Sequence, residues 1–126
     1  VTVFPDIEKA LAELLEPYVA DADHIGNQTP AVFDSLFIRV NRYGGGDNFL
    51  TDQAAVDVEF FAPTRSVAVD AARDVHTFLI GGPHQTTQGL IDLVRTSVGP
   101  SERPWSNTKV RRIGASYTVS ARRIPA

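Results

Sequence analysis

The strongest constraint on this chain lies between Val110 and Arg123. Side chains alternate there without a break. Arg111, Ile113, Ala115, Tyr117, Val119 and Ala121 fall on one side; Arg112, Gly114, Ser116, Thr118 and Ser120 fall on the other. A period of two belongs to an extended strand, whose successive side chains point to opposite faces. The run therefore predicts one long strand with an apolar, packed face and a small, polar face. Arginine pairs bracket it, Arg111-Arg112 and Arg122-Arg123. Ahead of it, Gly99-Pro100-Ser101-Glu102-Arg103-Pro104-Trp105 reads as a rigid, proline-bracketed loop that holds the only tryptophan. A closing strand fixed by a rigid loop is scaffold chemistry.

Upstream, Phe4-Pro5-Asp6 opens a helix, with Pro5 tolerated in the first turn and Asp6 and Glu8 at the positive end of the dipole. Ile7, Leu11, Leu14, Leu15 and Tyr18 form one apolar stripe at helical spacing, and Pro17 ends or bends the helix. Residues 20–32 read as a loop. Leu36, Ile38 and Val40 alternate with Phe37, Arg39 and Asn41 as a strand. The next strand runs over 53–62, with Ala54, Val56, Val58 and Phe60 on the core side and Asp57 and Glu59 facing away. These two should pair antiparallel across a loop, Gly44 to Asp52, longer than a tight turn requires. A second helix follows, capped by Ser66 and stopped by Gly81-Gly82-Pro83. Ile91 and Leu93 mark a strand that ends at Gly99-Pro100. The expected architecture is one α+β domain over 1–126. It has a mainly antiparallel sheet of about four strands and two helices packed on it, in the order α-β-β-α-β-β.

Bulk properties narrow the function. At 126 residues, 43% hydrophobic and 21% charged, the chain has the composition of an ordinary globular domain. It contains no cysteine, which excludes disulfides, thiol catalysis and cysteine-ligated metals. No apolar run reaches the ~20 residues of a membrane span, so no membrane partner is expected. The short, quickly acidic N-terminus carries no sign of a signal peptide. Charge is unevenly spread. Residues 1–63 hold eleven acids against three bases, a net of −8; residues 64–126 hold four against nine, a net of +5. Either the halves neutralise each other inside the fold, or acidic and basic faces meet between copies in a head-to-tail contact.

No catalytic or metal-binding set emerges from the residue patterns. His24, His76 and His84 lie in no metal-ligand spacing; His24 reads as part of a solvated acidic loop, His76 as a helix surface residue and His84 as a turn residue. Asp57 and Glu59 read as an exposed polar face. Gly44-Gly45-Gly46 lacks the lysine and hydroxyl of a phosphate loop. It serves a hairpin loop that is either mobile or ordered against a neighbouring subunit, with Tyr43, Asp47, Asn48, Phe49 and Leu50 beside it. Trp105 is either a plug for the core or an interface anchor. Arg111, Arg112, Arg122 and Arg123 are solvated or bridge between subunits. No catalytic residue, metal or cofactor is expected.

Taken in order, these segments resemble the tail terminator family of long-tailed bacteriophages, especially those infecting actinobacteria. The resemblance spans nearly the whole chain. It is carried by the Phe4-Pro5-Asp6-Ile7-Glu8 helix start, by Leu36-Phe37-Ile38-Arg39-Val40 before a glycine-rich tip, and by Thr51-Asp52 before Val56-Asp57-Val58-Glu59-Phe60-Phe61-Ala62. It continues through Gly82-Pro83-His84, Gly99-Pro100 and Pro104-Trp105 to the strand from Val110-Arg111-Arg112 to Ala121-Arg122. The resemblance implies a ring, usually of six copies, that caps the tail-tube protein, stops its polymerisation and offers a joining surface to the head-completion or connector protein. DNA passes through the lumen without specific binding. The implied setting is the head–tail junction of a virion, assembled in the bacterial cytoplasm, with no reaction catalysed. Other neck proteins share the layout. Two further readings are a small nucleic-acid-binding module with the basic C-terminal strand as its footprint, and a small-molecule enzyme built on His24 or His84.

Overall fold

The computed structural model describes residues 2–27, 35–48, 50–104, 110–122 and 124–125. Chain order is β1 (Thr2–Val3), α1 (Ile7–Leu15), β2 (Ile25–Gly26), β3 (Phe37–Asp47), β4 (Thr51–Ala62), α2 (Arg65–Ile80), β5 (His84–Thr86), β6 (Gly89–Arg103), β7 (Arg111–Arg122) and β8 (Ile124–Pro125). Short 3-10 helices, Glu16–Tyr18 and Ala22–His24, lie between α1 and β2.

The expected sheet is corrected by this layout. One sheet has six strands in the order β2-β3-β4-β7-β6-β5, and β1 pairs separately with β8. It is mixed, because β2 runs parallel to β3 while the other neighbours are antiparallel. Neither four strands nor the order α-β-β-α-β-β describes it. The missed elements, β1, β2, β5 and β8, are each two or three residues long. Segments that short carry no readable period; their partners define them.

Two boundaries also move. Gly99 to Arg103 is not a loop: β6 runs through it, and Ser101, Glu102 and Arg103 pair with Gly114, Ile113 and Arg112. The register slips between Thr96 and Val98 and again between Val98 and Ser101. Bulges of this kind let an outer strand accommodate Pro100, which has no N–H to give to the ladder. The glycine run is likewise strand. Gly44, Gly45 and Gly46 pair with Ala55, Ala54 and Gln53, leaving a short connection from Asn48 to Leu50. The Asn48 side-chain oxygen accepts from the Leu50 and Thr51 N–H groups at 2.8 Å each, the local bonding that turns asparagine into a hairpin residue.

Both helices lie over one face of the sheet. Asp6 caps α1 by accepting from the Lys9 N–H at 3.1 Å, and Ile7, Ala10, Leu11 and Leu15 are buried. On α2 the buried residues are Ala68, Ala72, Val75 and Leu79, three or four apart, and the two alanines permit a close approach to the strands. The N-cap of α2 is Thr64 rather than Ser66, without a side-chain cap bond. Beneath the helices, Ile38, Val40, Val56, Val58, Phe60, Ile113, Ala115, Tyr117 and Val119 form the core. Burying side chains such as Phe60 stabilises by roughly 2–3 kcal/mol each.

Candidate functional site

The sheet face away from the helices holds what the sequence reading missed. Arg39, Glu59 and Gly114 lie abreast on β3, β4 and β7, and Asp57 lies opposite Ser116. Glu59 is not on an exposed polar face: it is 1% exposed. Arg39 Nε donates to its Oε1 at 2.9 Å, with Nη2 of the same arginine also on that oxygen. Arg112 donates to the other carboxylate oxygen through Nε and Nη2. Arg103 reaches in from β6, with Nη1 at 3.6 Å from Glu59 and 3.5 Å from Asp57. Ser116 Oγ donates to Asp57 and accepts from Arg103 Nη2 at 3.3 Å. The Phe61 ring lies beneath two of the guanidiniums, 5.6 Å from Arg39 Cζ and 5.9 Å from Arg112 Cζ. That geometry adds a cation–π contribution.

Gly114 makes this arrangement possible. A Cβ there would stand 2.5 Å from Arg103 Nε and 2.6 Å from its Cζ. Only a bare Cα lets the Arg103 side chain lie flat across β7 to the carboxylates. Gly114 and Ser116, on the polar face of the closing strand, are therefore covered by the Arg103 side chain, and Ser116 is buried. Two carboxylates from the acidic half are thereby matched with two arginines from the basic half, which is the neutralisation within the fold that the charge asymmetry allows.

The β3–β4 tip is built differently. Tyr43 is an extra residue on β3, because the register slips between Arg42 and Gly44. Gly45 has φ +97°, and a Cβ there would come 2.1 Å from the Gln53 carbonyl oxygen, so only glycine fits. Arg42 clamps the tip by a bidentate pair to buried Asp52 at 2.6 and 2.7 Å, while its Nε donates to the Gly44 carbonyl at 3.1 Å. The Asp52 hydrogen bond raises the Arg42 pKa above its ordinary value. The Arg42 N–H donates to Glu8 Oε2 at 2.9 Å, tying the strand to α1. Beyond this clamp, Tyr43 is 56% and Leu50 67% exposed. Gly46, Asp47 and Asn48 are exposed as well.

The remaining predicted site residues are dispersed. Arg111 is exposed, 3.9 Å from Glu102, and Arg122 Nε lies 3.0 Å from Asp92. Arg112 lies in the Glu59 cluster. Phe49, Trp105 and Arg123 fall outside the described residues. A strip of arginines free to meet phosphate is therefore reduced, since Arg111, Arg112 and Arg122 each face a carboxylate. The histidines are also relocated. His76 Nδ1 and the Tyr117 hydroxyl share a 2.8 Å hydrogen bond beneath α2, and burial pushes the Tyr117 pKa up to about 12. His84 is buried in β5 and its Nε2 donates to the Leu79 carbonyl at 2.8 Å. The Thr87 hydroxyl and N–H bond the Glu13 carboxylate, which lowers its pKa and holds α1 to the β5–β6 turn. Among the described residues, no group of three histidines or carboxylates forms a metal site, and no helix is long and apolar enough to cross a membrane.

Two edges of the sheet stay open among the described residues. β2 covers β3 only at Ile38 and Arg39, and β5 covers β6 only from Gly89 to Ile91. Val40 to Asp47 and Asp92 to Arg103 therefore have no outer strand. Between α2 and the bulged part of β6 lies a groove of about 420 Å³, lined by Arg65, Val69 and Arg73 of the helix, Pro100 and Glu102 of β6, and Ile113 of β7. Long open edges are surfaces for association unless something blunts them. Here the Glu8 carboxylate blunts only one N–H of β3.

No family model matches the chain, and no curated protein matches it. Among solved structures, the chain is similar to a chain in the virion of a native gene transfer agent particle. The two share 14% identity, with a TM-score of 0.62 over 93% of this chain and 98% of the other. The two chains share a fold along nearly their whole lengths.

Proposed function

We propose that this chain is a structural subunit of a phage-like particle, working in a ring that caps the tail tube. On this reading the ring ends tube polymerisation, receives the head-completion protein on its other side and lets DNA pass through its lumen. The chain contributes surface and charge; it makes no bonds and takes no cofactor. The observation that carries the proposal is the likeness in fold to the gene transfer agent virion chain, because it spans both chains almost completely. The ordered phrases that resemble tail terminators support the finer assignment to the tube end. Open edges on opposite sides of one sheet support lateral association of copies, since a contact between two different patches repeats around an axis.

Tail length tests the capping role. A particle made without this chain is expected to have tails of uncontrolled length and heads that fail to join. Tails of normal length with unjoined heads would move the assignment to a neighbouring neck position. Normal tails carrying joined heads would remove it altogether. Light scattering on the purified chain, alone and with tail-tube protein, tests the ring. A strict monomer in both cases would count against it.

A further inference from the structure

Among the described residues, two large exposed apolar side chains, Tyr43 and Leu50, stand together at the β3–β4 tip. Leu93 and Val98 pair with Ser120 and Ser116, so they lie on the sheet face away from the helices and outside the groove beside α2, whose apolar lining is Val69, Pro100 and the buried Ile113. Tip and groove lie on opposite sides of the strand order. Their charges differ in sign. The tip carries Asp47 and Asp52 against Arg42, one net negative charge. The groove beside α2 carries Arg65 and Arg73 against Glu102, one net positive charge. Arg65 is already on Glu102 at 3.1 Å, whereas Arg73 faces no carboxylate within ion-pair distance among the described residues.

We infer that the β3–β4 tip of one copy seats in the groove between α2 and β6 of a second copy. This contact rests on the ring reading above and names the surfaces that close it. Tyr43 and Leu50 lie against Val69 and Pro100, and Asp47 meets Arg73. The open edge of β6 supplies unpaired backbone groups to the incoming tip. Tip and groove are different patches, so the contact is heterologous and propagates from copy to copy until it closes. The stiffness of the tip matters here. The Arg42–Asp52 clamp and the Asn48 turn order it before contact, so little conformational entropy is lost on docking.

The absence of native cysteine makes the test direct, because engineered thiols are then the only ones present. The full-length Leu50→Cys protein is mixed with a differently tagged Ser101→Cys protein under oxidising conditions, and the mixed disulfide dimer is read on a non-reducing gel. Gln85→Cys with Ser101→Cys is the control, since Gln85 is exposed on β5, at the far end of the strand order from the tip. The tip–groove pair is expected to cross-link several-fold more than the control. Wild-type protein that assembles by light scattering, with equal cross-linking of both pairs, would overturn the contact and leave the ring standing. A wild-type chain that stays monomeric would overturn both. Charge reversal gives a second readout. Asp47→Arg and Arg73→Asp should each raise the half-assembly concentration by roughly threefold to tenfold, and together recover it. Failure of the double variant to recover would overturn the Asp47–Arg73 pairing.

Discussion

The two faces of the central sheet bury neighbouring residues of β4 by opposite means. Glu59 and Phe60 are neighbours on β4, and both are buried, at 1% and 0% exposure. Phe60 points toward the helices into a core of aliphatic and aromatic side chains. Glu59 points the other way, into three guanidiniums. The apolar face is held by area and volume, which are tolerant of chemical detail. The charged face is held by matched charges at fixed positions, and it tolerates no loss of a partner. A buried ion pair is not in itself strong evidence of stability, but removing one member leaves uncompensated charge, which is costly.

The largest expected effect breaks that comparison most directly. Glu59→Gln keeps shape and removes charge, and is expected to cost about 3–5 kcal/mol in denaturant unfolding. Phe60→Leu keeps apolar character and loses some volume, and is expected to cost only about 1–2 kcal/mol. Equal costs would show that the two faces obey the same rule. Gly114→Ala comes next, at about 1–3 kcal/mol, because its methyl group displaces Arg103 from the carboxylates. A neutral Gly114→Ala would mean that Arg103 contributes nothing through its seat on β7.

On the helix side, the sharpest test is alkaline pH. The Tyr117 pKa is raised by burial to about 12, from an unfolded value of 10.0. Between those values the unfolded state has released its proton and the folded state retains it. Stability therefore is fully present below pH 10 and falls as pH rises toward 12, by of the order of 2 kcal/mol. Tyr117→Phe should flatten that limb of the stability–pH curve; an unchanged limb would assign it to other groups. The smallest effect is expected for Arg122→Ala. Its pair with Asp92 is exposed at the arginine, and exposed pairs are worth about 0–1 kcal/mol. A loss above that range would place Arg122 in a tighter arrangement than its distance to Asp92 implies.

Legibility in the sequence followed the range of the interactions involved. Residues 111–122 were readable because alternation is a local property of an extended backbone. The stripes on α1 and α2 were readable for the same reason. Glycine at 44 to 46 misled, because its propensity speaks for loops. Its use here is a bulged pair in which Gly45 leaves room for the Gln53 carbonyl. Pro100 misled similarly, since an outer, bulged strand can hold a residue that an inner strand excludes. Arg39, Glu59 and Arg112 were each visible on the polar side of a strand. That they form one cluster depended on register.

By itself the sequence determined the central parts of the long strands, the two amphipathic helices and the apolar sides of β3, β4 and β7, because periods of two and 3.6 are written into adjacent residues. Only the tertiary structure decided which strands became neighbours, that a two-residue strand would join in parallel, and that a carboxylate at position 59 would be buried among arginines 20 to 53 residues away in the chain. Those outcomes depend on pairing between distant segments. A shift of one residue in any of the three strands would have turned the same side chains to the opposite face.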